Sequence, residues 1–117
     1  MTRLNELKKN KVNLYLWHVA GLIEFSGLSK TSPKDAKGRV SLPFAIAMLC
    51  GADQNGYSDD FDYLLGEVPS MYTPMFIYCW ESIELEVEKD IVYWSEAVGA
   101  KETIRRIRNL AKVIEHS

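Results

Sequence analysis

Cysteine, histidine and proline are scarce in this 117-residue chain. Cys50 and Cys79 lie in apolar stretches, without a C-x-x-C or a nearby histidine. That spacing offers no soft-ligand zinc site and no disulfide framework. Both read as reduced, buried thiols of a cytoplasmic protein, with a single Cys50–Cys79 bridge as the alternative left open. Of the two histidines, His116 is penultimate and His18 falls within an apolar stripe. Nucleophilic catalysis needs a positioned imidazole, and His18 reads instead as a hydrogen-bonded core residue. G-x-S-x-G, P-loop and G-x-G-x-x-G motifs are missing as well. No catalytic residue and no cofactor are assigned.

No apolar run reaches the roughly 18 residues of a membrane span. The basic start followed by Val12 to Ile23 has the outline of a leader, but Glu6, His18 and Glu24 interrupt it, and a folded helix is expected. "DQNGYSDDFD" has the composition of a calcium loop, yet from Asp53 neither the sixth-position glycine nor the closing glutamate falls in place.

Charge of one sign is what the middle of the chain does have. Residues 51–90 carry ten acids against Lys89 alone, a local charge of −9 hidden within a net −2. Residues 1–13 and 100–117 each carry +3. Such segregation points to electrostatically steered contacts.

The periodicity predicts a mainly α, single-domain bundle of four to five helices (residues 1–117). The first helix spans about Arg3 to Phe25, capped by Thr2 and stopped at Ser26-Gly27. Leu4, Leu7, Leu14, His18, Leu22 and Phe25 share one side, widened by Val12, Leu16, Val19 and Ile23. A polar loop follows, with room for a short β-hairpin near 28–41. Ser41 and Pro43 open the apolar "FAIAMLC" helix. Ser58 is the expected cap of "DDFDYLLGEV", which Pro69 ends. Thr73-Pro74 opens a long central helix, about 74–98, on which Phe76, Trp80, Ile83, Val87, Ile91, Trp94 and Val98 keep helical register up to Gly99. "SIELEVEKD" (82–90) also alternates like a strand, but the longer register outweighs that alternation. A last helix, about 100–115, buries Ile104, Ile107, Ala111 and Ile114.

Three constellations carry functional expectations. Asp59-x-x-Asp62 and Glu81-x-x-Glu84 are acid pairs on successive helices. The pattern resembles the all-α nucleotide pyrophosphohydrolases, which pair an E-x-x-E with a downstream E-x-x-D. Here the first pair is Asp and the second closes with Glu. The resemblance covers residues 59–84 and implies Mg²⁺ held by Asp59, Asp62, Glu81 and Glu84.

The second is the ridge Lys101, Arg105, Arg108 and Lys112, at a spacing of 4, 3 and 4, a candidate for phosphate contacts. A pI near 5.7 weighs against direct nucleic-acid binding. The plainer expectation is a solvated ridge, or one laced to Glu81, Glu84 and Glu88.

The third is the preferred one: a non-catalytic protein-binding module that presents an acidic helical face to a basic partner surface. Its residues are Asp59, Asp60, Asp62, Glu81, Glu84 and Glu88, with Tyr63 and Tyr78 as anchors. By analogy it would be a small phage or mobile-element inhibitor of a nucleic-acid-processing complex. A homodimer is a further partner form.

Overall fold

The computed structural model describes residues 3–30, 33–53 and 58–117. Six helices follow one another: α1 (Arg3–Lys9), α2 (Val12–Ser26), α3 (Leu42–Leu49), α4 (Phe61–Glu67), α5 (Thr73–Val87) and α6 (Ile91–Glu115). One 3₁₀ turn, Ser70–Tyr72, leads into α5. No strand forms among the described residues, and none of their helices is long and apolar enough to cross a membrane.

The core is built around α3. Its sequence is apolar on every side, and all residues from Leu42 to Ala47 are buried. A helix with no polar face is stable only when surrounded, and α3 touches α2, α4, α5 and α6. It starts where expected: Ser41 Oγ accepts the Phe44 N–H at 3.2 Å, and Pro43 occupies the first turn. Proline costs nothing there, because that N–H has no intrahelical partner. Around α3, α2 and α6 form the most extensive helix pair. α4 is anchored by Phe61, whose ring lies 5.5 Å from Phe76 and 5.0 Å from Trp80 on α5. The whole has a radius of gyration of 13.1 Å, against the roughly 13 Å of a compact chain this long.

Two helices differ from expectation for the same reason, a single non-glycine residue in the left-handed region. Lys11 (φ 62°) splits the helix expected over 3–25 into α1 and α2. Glu88 (φ 54°) ends α5 at Val87 and breaks the helix expected over 74–98. Asp90 then caps α6, its Oδ1 accepting from the Val92 N–H at 2.9 Å. The register Phe76, Trp80, Ile83, Val87, Ile91 and Trp94 crosses this break because both helix ends turn their apolar residues inward; all six are buried. The central position expected of 74–98 belongs to α3. Residues 83–87 are helical, not extended. The backbone interruption at Gly99 does occur (φ 85°, ψ 174°), as a kink within α6.

The split at Lys11 resets which face of α2 is inside. Val12, Leu16, Val19, Ala20 and Ile23 are buried, whereas His18 and Phe25, both expected in the core, are exposed. Among the described residues of 28–41 no strand forms. Val40 pairs with Leu28 in a parallel bridge and with Lys34 in an antiparallel one, which pins the loop without a strand. Ser58 is not the cap of α4: Asp60 is, accepting the Tyr63 N–H at 3.2 Å, while the Ser58 hydroxyl accepts from Asp60 N–H. Thr2, as a cap of α1, lies outside the described residues.

Candidate functional site

The acidic residues divide by the work they do for the fold. Asp59 is half-buried and takes a 2.6 Å hydrogen bond from the Ser41 hydroxyl. Burial pushes its carboxyl above the ordinary aspartate value, and the Ser41 bond only partly offsets this. Asp60 is committed to capping α4, and Asp62 on the first turn is exposed. Tyr63 is half-buried against the core.

Glu81 on α5 and Glu88 at its C-cap are exposed, and Glu84 is half-exposed. Spacings of three and four place them on one edge of the helix, with Tyr78 one turn earlier. Leu85, one turn on from Glu81, is 62% exposed and lines a shallow cleft with Leu4, Leu7, Ser82, Glu86 and Leu110. Glu86 is neutralised from within. Arg106 Nη2 donates to its carbonyl at 3.3 Å and lies 3.6 Å from its carboxylate, while the guanidinium covers Trp94 at 5.9 Å.

Asp59, Asp62, Glu81 and Glu84 do not converge into the Mg²⁺ site that the pyrophosphohydrolase resemblance implies. Among the described residues, no three of His, Cys, Asp and Glu come together as a ligand set. The physical reason is visible at Asp59, which turns inward to Ser41. Cys50 and Cys79 are free and buried. Burial pushes the Cys50 thiol up to about 12 and Cys79 well above its ordinary value, which disfavours the thiolate form of both.

The basic ridge of α6 is tied elsewhere than to Glu81, Glu84 and Glu88. Arg108 forms a two-pronged pair with Glu24 of α2, Nη1–Oε2 3.1 Å and Nη2–Oε1 2.9 Å. These bonds hold the Glu24 carboxyl below the usual glutamate range. Arg108 also lies 5.5 Å from the ring of Trp17. Arg105 pairs with Glu102 on its own helix at 2.6 and 2.7 Å, and Lys101 and Lys112 project into solvent.

Alongside this ridge, sequence reasoning missed a surface. Leu14 (52% exposed), Trp17 (44%) and Phe25 (91%) lie outside the core on α2. Two shallow clefts run along the α2–α6 seam. One of about 290 Å³ is lined by Asn13, Leu14, Trp17, Glu115 and His116; the other, of about 340 Å³, by Glu24, Lys101, Ile104, Arg105 and Arg108; Lys112 lines both. The signal was present. Once α2 is taken from Val12, the set Val12, Leu16, Val19 and Ile23 is a complete inner face, which leaves Leu14 and Trp17 outside.

Compared with known proteins, the chain matches no family model, and no curated protein or solved structure shows significant similarity to it.

Proposed function

We propose that this protein is a non-catalytic binding module that docks the outer edge of α5 on a basic surface of another protein. The observation that carries the reading is Leu85, 62% exposed one turn on from Glu81. An apolar anchor ringed by polar residues is the usual anatomy of a protein interface. Carboxylates around Leu85 would speed encounter with a cationic partner and set the orientation of docking. Tyr78, one turn before Glu81, extends the edge with a second anchor.

A surface rich in Lys and Arg, such as a groove that holds a nucleic-acid backbone, is the class of partner this edge fits. Inhibition of a nucleic-acid-processing complex is therefore the activity to test first. Affinity capture from native extract should retain a basic protein in a salt-sensitive manner. Replacing Glu81, Glu84 and Glu88 with Gln should reduce that retention at least tenfold, and Leu85→Ser should reduce it independently. Unchanged capture by both variants would refute the assignment.

A further inference from the structure

We infer that the α2–α6 seam binds single-stranded nucleic acid, with Glu24 occupying, in the free protein, the place on Arg108 that a phosphate takes in the complex. This surface is separate from the α5 edge: on α6, Arg106 reaches Glu86 of α5 whereas Arg108 reaches Glu24 of α2.

Cations and one part-exposed ring, Trp17, meet along this seam. Lys101, Arg105, Arg108 and Lys112 recur at 4, 3 and 4 residues, so successive cations rise by about 4.5–6 Å along the helix. They form a row that can follow a phosphate backbone. On α2, Trp17 remains 44% exposed with Arg108 over its ring. Proteins that hold single strands combine such a cationic track with aromatic faces on which bases stack, because every base has a π-face. An acidic peptide would use the cations but would not need open rings.

Arg108 supplies the specific chemistry. A guanidinium binds carboxylate and phosphate in the same forked geometry, and Glu24 already makes both prongs. Arg108 Nε is buried and has no hydrogen-bond partner among the described residues. A donor left unmet in the free state marks an incompletely satisfied group. A phosphate that displaces Glu24 would take over both Nη prongs and leave its remaining oxygens for neighbouring cations. Glu24 thus tunes affinity, by competing with the ligand for one side chain.

The test is fluorescence anisotropy of labelled oligo(dT) and oligo(U) of about 15 nucleotides, a length that suits such a track. Quenching of intrinsic fluorescence is read in parallel. Trp80 and Trp94 are only 6% exposed, so quenching reports Trp17. Engagement of about four phosphates on a single strand should weaken affinity roughly fifty-fold between about 50 and 200 mM salt. Lys101→Glu with Lys112→Glu, both at exposed positions, should abolish binding. Trp17→Ala should lower affinity about tenfold and remove the quench. Glu24→Gln should raise affinity several-fold, a gain that damage to the fold would not produce.

The inference is overturned if oligonucleotides do not bind at about 50 mM salt, where backbone contacts are least screened. It is equally overturned if Glu24→Gln weakens binding, or if the Lys101 and Lys112 changes leave it intact. Retention of an oligoglutamate peptide or of phosphatidylserine vesicles, without oligonucleotide binding, would assign the seam to a different partner. None of these outcomes depends on the α5 edge, so failure here leaves the protein-binding reading standing.

Discussion

Ser41 joins Asp59 to the start of α3: its hydroxyl donates to Asp59 Oδ1 at 2.6 Å while its oxygen accepts the Phe44 N–H at 3.2 Å. One buried serine therefore closes the first turn of the central helix and satisfies a half-buried carboxylate. Ser41→Ala removes the cap, at about 1 kcal/mol. It also leaves Asp59 without its donor, which adds about 1–3 kcal/mol for an unmet buried group. Urea denaturation should show the combined loss, with Ser41→Thr recovering part of it.

Asp59 makes a pH dependence of unusual sign. Its folded-state pKa is raised, chiefly by burial, so the folded protein binds a proton more readily than the unfolded chain. Linkage then makes this group's contribution to stability fall as pH rises from the unfolded value, near 3.9, through the folded one. At neutral pH its full destabilising effect is present. Asp59→Asn should therefore raise the melting temperature at pH 7, with the advantage shrinking as the pH is lowered through that window. Thermal melts of both proteins across pH 4–7 check the sign.

Lys11 sits at φ 62°, where an L residue costs about 1–2 kcal/mol and glycine does not. Allowing for the flexibility glycine adds to the unfolded chain, Lys11→Gly should stabilise by roughly 0.5–1 kcal/mol. Gly99 is the converse case. Its φ of 85° and ψ of 174° belong to a region open essentially to glycine alone. No atom lies within 4 Å of an added Cβ, so the backbone alone sets the cost of Gly99→Ala. That cost should be about 1–3 kcal/mol, read from the denaturant midpoint.

Asp90→Ala discriminates between a break and a continuous helix at residues 88–90. Were the helix continuous, alanine would be the better residue there. Because Asp90 Oδ1 accepts from Val92 N–H, its loss should instead destabilise by about 1 kcal/mol. Chemical denaturation of the single variant gives the direction.

Phe44, fully buried on α3, is the residue whose removal should be felt most widely. Phe44→Ala should cost about 3–5 kcal/mol, because α3 is enclosed by four helices and cannot collapse freely onto the space. Phe44→Leu, which removes less volume, should cost a fraction of that in the same unfolding assay.

Much of this architecture was legible from local chemistry. The all-helical class, the Ser41–Pro43 and Thr73-Pro74 starts, the stop at Gly27 and the spacing of the cationic row on α6 are set by short-range rules of capping and periodicity. Those rules act within a few residues, so twelve letters suffice to apply them. Neither left-handed residue was legible, because Lys11 and Glu88 carry no local preference for that conformation. Their positions are imposed by the turns that bring α1 onto α2 and α5 onto α6. From those two turns follow the exposure of Trp17 and Phe25 and the division of the expected long helix. The Glu24–Arg108 pair joins residues 84 apart in the chain. Its existence is a property of how α2 packs along α6, and no periodicity within either helix encodes it. The sequence alone determined the helical class, the starts of α3 and α5, and where charge is concentrated. Packing decided which charges are already matched inside the molecule and which remain outside, because a partner distant in the chain becomes a neighbour only in the folded state.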